Sequence, residues 1–392
     1  MRFLLFLINP FVSGINSLVN IKEKHSLTFL YLWFVIFGIG FVAKNEAVDS
    51  YRYVEMFNEG RMSWHEYIFE VKEYFTFETN TKDIYTLTVN YLVGSFSDNY
   101  HWTLFIYAIV FGFFYIKALK YLIPLLSKGD TSSYILLFLF CFSNPIFNIN
   151  GVRFWTAAWI GVYAFLKIFI DRKYLYCLLL AITPLIHGSF FIWIAFVLLA
   201  YIVPKTRNIW IPLYIISMFV SLGSEFTQVS YYADFLPAYM NKMYVHYTTD
   251  EELLSTYTME ALPLYARILK SLPGIMLTVL TLILAFNKKI VDRDDKYYSL
   301  FNVYLVLVTL VNFASIVPTV GARFTKLTIP ILALILAKYI TNNKKYKSVL
   351  LWIPIAYSYT ILHWLRNMIS VTELELYLFP APATIIKYLF LS

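Results

Sequence analysis

The chain has 392 residues, 59% hydrophobic and only 14% charged, with a mean hydropathy of +0.63, whereas a soluble domain is about 25% charged. That balance excludes an ordinary soluble domain and makes the lipid bilayer the chain's solvent. The net charge of +8 does not signal nucleic acid, because lysine and arginine fall mostly in short connections between apolar runs, where they orient a membrane chain.

Apolar runs of helical length, joined by short charged connections, predict an all-α fold. The expectation is one polytopic transmembrane bundle of about 12 spans over residues 1–392, not a barrel of alternating strands. Residues 3–19, interrupted by Asn9-Pro10, read as a first span and not a signal sequence, since no small-residue cleavage site follows. A clear span at 27–43 leads into the polar segment 44–83. Segment 84–97 is amphipathic and too short to cross, so it reads as an interfacial or re-entrant helix closing a first extracytoplasmic segment, 44–101.

Further spans are predicted near 102–119, 133–149, 152–170, 174–186, 188–203, 208–222, 263–286, 298–317, 321–340 and 348–366, with a second extracytoplasmic loop at 223–262. The run 174–203 divides at His187-Gly188, because Arg172 and Lys173 at one end and Lys205 and Arg207 at the other want the same face. The tail 371–392, broken by Pro380 and Pro382, stays open between a last span and a surface helix. Cys141 and Cys177 both lie in apolar runs, which leaves a disulfide framework or a metal-ligand spacing unsupported.

Charge fixes the orientation. Loops read as cytosolic (22–24, 117–130, 167–173, 205–207, 288–296 and 338–347) carry 18 basic against 6 acidic residues. Segments 44–83 and 223–262, read as external, carry 6 basic against 15 acidic. A crossing at 84–97 would put Lys117, Lys120 and Lys128 outside, which is why that helix is read as non-spanning.

Against this topology six cations stand out. Arg153, Arg267, Lys270, Arg323, Lys326 and Arg366 lie at or just inside the outer end of a span, where orientation gives no reason for positive charge. Each either snorkels to the surface, pairs with an acidic loop residue or meets an anionic lipid headgroup. Arg153 and Arg323 point to the headgroup, since both stand in a Gly-x-Arg-Phe context. Glycine permits close backbone approach there, and a guanidinium fork grips phosphate oxygens. His187, at the tip of the 183–189 hinge, either relays a proton near neutral pH or is hydrogen-bonded to a neighbouring helix. Asp49 opens the first outer segment among aromatics, and either serves the site or pairs with Arg52. The remaining histidines have no metal-like spacing.

Three features resemble the EpsG-type branch of the Wzy polysaccharide polymerases. These are Asp49, Tyr53 and Phe57 as Asp-x-x-x-Tyr-x-x-x-Phe, with Ser50 where that family often has tyrosine; Asn150-Gly151-Val152-Arg153 opening a span that ends in the basic turn Asp171-Arg172-Lys173; and His187-Gly188-Ser189. Phe154 follows Arg153 where the family usually has glutamine. The resemblance implies a GT-C-like membrane enzyme at the outer face of the bacterial cytoplasmic membrane. Such an enzyme joins undecaprenyl-diphosphate-linked repeat units into a surface polysaccharide (O-antigen, capsule or exopolysaccharide).

On that reading Arg153 and Arg323, with Arg267 and Lys270, bind the diphosphate, and His187 or Asp49 deprotonates or orients the acceptor hydroxyl. No metal or other cofactor is expected, because arginines can neutralise the diphosphate. The 223–262 loop, rich in tyrosines such as Tyr231, Tyr239 and Tyr247, is expected to form a glycan-facing lid. The expected partners are lipid-linked donor and acceptor, the bilayer and a chain-length regulator. A flippase of the same lipids and an O-antigen ligase are the competing classes. The cations gather at outer ends and not at the bilayer midplane, which favours the enzyme.

Overall fold

A computed structural model describes residues 1–42, 49–76, 83–222, 263–287, 296–315, 317–340 and 343–391. The whole 223–262 loop, with its tyrosines, therefore lies outside the described residues. Among the described residues every regular element is helical, and the single isolated bridge pairs Phe41 with Thr372.

In chain order the helices are α1 (Arg2–Ile8), α2 (Pro10–Val19), α3 (Ser26–Ile39), α4 (Asp49–Asn58), α5 (Trp64–Thr76), α6 (Ile84–Gly94), α7 (His101–Leu119), α8 (Thr131–Ser143), α9 (Val152–Phe169) and α10 (Tyr176–Ile186). They continue as α11 (Phe190–Ile202), α12 (Arg207–Leu222), α13 (Leu264–Phe286), α14 (Lys296–Ala314), α15 (Pro318–Tyr339), α16 (Lys344–Leu350), α17 (Ile353–Ala356), α18 (Ser358–Ser370), α19 (Glu375–Leu378) and α20 (Ala381–Phe390).

Among the described residues five stretches are long and apolar enough to cross a bilayer: His101–Leu125, Thr131–Phe169, Leu264–Phe286, Lys296–Ala314 and Val320–Tyr339. A sixth is reached if Tyr346–Ala356 and Ser358–Ser370, bent by 41°, count as one. That bent pair occupies the predicted 348–366 span. The shorter apolar helices Pro10–Val19, Ser26–Ile39, Tyr176–Ile186 and Phe190–Ile202 reach about 15 to 21 Å at about 1.5 Å per residue, against a hydrocarbon core of about 30 Å.

Residues 3–19 differ from the expected single span. Asn9 is extended (φ −151°, ψ 98°), and its side chain accepts from the Val12 N–H at 2.9 Å, so it ends α1 and caps α2, with Pro10 at the first helical position. The 174–203 run does break at His187, whose backbone is extended between α10 and α11.

By contact the chain forms two compact units, Met1–Asp130 with Asn144–Phe191 and Ile361–Ser392, and Thr131–Ser143 with Ile192–Thr360. In the first, α7 packs on α3 and α9, and α9 on α10. The α3–α7 approach is close: a Cβ on Gly38 would stand 2.2 Å from the Ala108 Cβ. Small residues at a helix contact let van der Waals packing hold membrane helices together, since lipid is as apolar as leucine. The tail docks onto this unit instead of standing alone. Val42 N–H donates to the Val371 carbonyl at 2.9 Å, and the Asn99 amide to the Tyr388 carbonyl at 2.7 Å. Lys387 pairs with Glu373 at 2.9 Å and with Glu375.

In the second unit α14 packs on α12 and α15, and α15 on α8. Leu300, Phe301, Leu305, Val306, Ile331, Ala333 and Leu334 are fully buried, as expected of helices apolar all round. Arg207 donates to the Asn302 side-chain oxygen at 3.1 Å, with its guanidinium 4.6 Å from the Tyr298 ring centroid.

Candidate functional site

The first unit assembles its polar centre at the mouth of α9. A 3-10 turn, Ile146–Gly151, feeds that helix. Asn144 pins it, donating from its amide to the Trp155 carbonyl at 3.0 Å and accepting from the Trp159 indole at 3.1 Å through its own carbonyl. Gly151 has no room for a side chain without movement, since a Cβ would meet the Trp155 ring at 3.0 Å and the Asp49 carboxylate at 3.6 Å. Asn150 reaches across to α4, where its side-chain oxygen accepts from the Ser50 N–H at 2.9 Å. The Asn-Gly-x-Arg motif is thereby the seam between α4 and α9.

Arg153 then projects onto two buried partners. Its Nε donates to the Tyr53 hydroxyl at 3.1 Å, and one terminal nitrogen to the Asp83 carboxylate at 3.1 Å. Asp83 is 2% exposed and Tyr53 7%, while the Arg153 side chain keeps 23%. Asp83 also caps α6, accepting from the Thr86 N–H at 2.7 Å and the Thr86 hydroxyl at 2.8 Å. Burial raises the Asp83 carboxyl above the ordinary range, against the opposing pull of Arg153 and the two Thr86 bonds. Burial likewise pushes the Tyr53 phenol up to about 12.

Around this pair, Tyr85 and Tyr107 pack at 5.4 Å between ring centroids, and the Tyr107 and Ser50 hydroxyls are buried with no hydrogen-bond partner among the described residues. Buried hydroxyls of that kind belong where a water or ligand oxygen completes the network.

His187 enters from the α10–α11 break. Its ring stands edge-on to Phe154 at 5.3 Å and 90°, and its Nδ1 lies 2.8 Å from the Ser189 hydroxyl. Phe154, 4% exposed, therefore links the residue after Arg153 to the histidine. Tyr74 of α5 donates to the Pro184 carbonyl just before this break, at 3.4 Å.

Of the sequence candidates, Asp49, Arg153 and His187 share the first unit, whereas Arg267, Lys270 and Arg323 belong to the second. Arg323 stands beside Lys326, one helical turn on, and Phe324 stacks parallel to Trp193 at 6.0 Å and 5°. In both Gly-x-Arg-Phe motifs the phenylalanine is a buried anchor against an aromatic ring, but Arg153 is the second residue of α9 whereas Arg323 is the sixth of α15. Arg267 lies on the first turn of α13, and Lys270, one turn later, is exposed.

The residues that sequence reasoning did not single out are Asp83, Tyr85 and Tyr107. The signal for Asp83 was present as Asp83-x-x-Thr86 before an apolar run, an N-cap pattern. Among the described residues no group of three or more His, Cys, Asp or Glu is arranged to hold a metal ion.

Membrane-length apolar helices make this an integral membrane protein, and its first unit carries a polar centre where Arg153 is ion-paired to buried Asp83 at the mouth of α9. Residues 25–379 match the EpsG family, so the chain belongs to that family. Among curated proteins and among solved structures none matches the chain.

Proposed function

We propose that this protein is a glycan polymerase of the cytoplasmic membrane, with about twelve crossings, a GT-C-like arrangement and its site on the outer face. It moves a growing glycan from undecaprenyl diphosphate to the acceptor hydroxyl of an incoming lipid-linked repeat unit. The bond from the anomeric carbon to the diphosphate oxygen breaks, a glycosidic bond forms, the hydroxyl proton passes to a base, and undecaprenyl diphosphate leaves. A chain-length regulator is a further partner on this reading.

Family membership supports the reaction class, and the observation that carries the residue assignment is Arg153 held between Tyr53 and Asp83 at the start of α9. A guanidinium has five N–H donors, and among the described residues these two bonds engage two of them, which leaves three for phosphate oxygens. The α9 N-terminus has no side-chain cap, and its dipole adds positive potential at the same spot. Charge that develops on the leaving diphosphate is met by donors already oriented, which lowers the barrier more than uniform binding would. Asp83 and Tyr53 act as positioning residues for Arg153. His187 or Asp49 takes or orients the acceptor proton, and Arg323, Arg267 and Lys270 are assigned to the carrier diphosphate.

The test is genetic complementation. Cells lacking this protein should make single repeat units on lipid but no long surface glycan. The wild-type chain should restore it, and R153K, present in the membrane at normal level, should not. Long glycan of normal amount in the deletion strain rejects the reading.

A further inference from the structure

The first unit holds a groove of about 350 Å³ between the end of α4, α5 and α6, at the small end of the roughly 300 to 1,000 Å³ range of ligand clefts. It begins where the diphosphate centre ends. Thr86, whose N–H and hydroxyl hold Asp83, lines it, as do Asn90, Tyr91 and Gly94 further along α6. At about 1.5 Å per residue, Asn90 lies about 10 Å and Gly94 about 16 Å from Asp83 along the helix.

Tyr91 gives one wall an aromatic ring, backed by two others. Tyr91 stacks on Tyr67 at 4.6 Å and 17°, and Trp64 lies 5.9 Å from Tyr91. These rings are held in place. Ser63 and Glu66 form a capping box that fixes Trp64 at the start of α5, and the Tyr67 hydroxyl lies 3.1 Å from the Thr88 hydroxyl. Trp64, which backs this stack and is not on the groove lining, is 56% exposed.

The rest of the lining is rich in hydrogen-bond acceptors. Among the described residues Glu59, Glu70 and Asp98 line it with one cation, Arg61, which is paired with Asp98 through two bonds of 2.8 and 2.7 Å, and Glu70 itself takes part in a further interaction. The Asn90 side-chain oxygen is buried with no partner among the described residues.

Resting on the polymerase reading, we propose that this groove is the glycan-holding subsite and takes a saccharide without acidic substituents. Sugar rings present C–H faces, which pack on aromatic faces, and hydroxyl donors, which carboxylates and the Asn90 oxygen accept. An anionic sugar would meet three carboxylates against one paired arginine. Glycan and diphosphate are thereby sorted along α6, with the acceptor-rich groove at one end and Arg153 at the other.

The test uses full-length protein in nanodiscs and fluorescent fragments of the cells' own surface polysaccharide, freed of lipid and diphosphate. Wild type and R153K should bind the fragments alike. Tyr91→Ala and Asn90→Ala should each weaken binding at least tenfold, and a uronic-acid oligosaccharide should bind wild type at least tenfold more weakly. Unchanged binding by both groove variants, absence of fragment binding to wild type, or equal binding of the uronic-acid oligosaccharide overturns the proposal. Polymer synthesis in the same preparations separates the two readings. Polymer made while Tyr91→Ala binds normally sinks the groove alone, whereas Tyr91-dependent binding without any polymer sinks the polymerase reading and keeps the groove.

Discussion

Arg153 is bound on one side to a carboxylate that is almost wholly enclosed, so the residue has two roles that a single substitution mixes. Removing one partner of a buried pair costs about 3 to 5 kcal/mol, because the other charge is left uncompensated. R153A should therefore lower both the amount of folded protein and the activity, measurable as membrane level beside polymer yield. R153K keeps the charge facing Asp83 but loses the planar fork, and should leave the protein in the membrane with transfer reduced about 100-fold, the size of a lost transition-state donor. Near-normal transfer by R153K would remove the fork from the reaction.

Asp83 gives a pH test with a defined sign. Its folded-state carboxyl is raised by burial above the ordinary value of 3.8, so the folded chain holds the proton more tightly than the unfolded one. The stability this contributes is complete below 3.8 and is lost as pH rises through the raised value. Melting temperatures of wild type and D83N in detergent should diverge in favour of D83N as pH is raised through that window, and a difference independent of pH would contradict the burial argument.

At the scale of elements, the seam between α3 and α7 should be the least tolerant of added volume. Gly38→Leu places its Cβ into the Ala108 methyl at 2.2 Å and should abolish folded protein, while Gly188→Ala meets nothing within 4 Å and should leave the amount unchanged, both read by detergent-resistant monodispersity. Some elements were legible in the sequence. Asp49, Tyr53 and Phe57 fall four residues apart because they share one face of α4, and Tyr53 and Phe57 on that face are buried. The His187 break was readable because basic residues at both ends of 174–203 demanded it.

Other features were not legible, for physical reasons. Hydropathy sees 3–19 as one run, since an asparagine that caps α2 looks the same in composition as one inside a helix. Asp83 sits in a segment of nine acidic residues, where solvated charge is the ordinary expectation. Its burial exists only once Arg153 arrives from seventy positions away. The groove is equally nonlocal, built by the end of α4 with α5 and α6.

At the scale of the whole molecule, the charge asymmetry of the loops predicts one orientation, with 44–83 outside and 117–130 in the cytosol. In a background with Cys141 and Cys177 replaced, His65→Cys on α5 should react with an impermeant thiol reagent added to intact spheroplasts. Lys128→Cys, 79% exposed in the structure, should react only after lysis. The reverse pattern would invert the topology and place the α9 mouth on the cytosolic face.

The most direct measurement of the central claim follows the carrier. Purified protein in liposomes, given one lipid-linked repeat unit as its only substrate, should build a ladder of longer glycans and release one undecaprenyl diphosphate for every linkage formed. Movement of the intact lipid-linked unit across the bilayer, with neither ladder nor free carrier, would contradict the account.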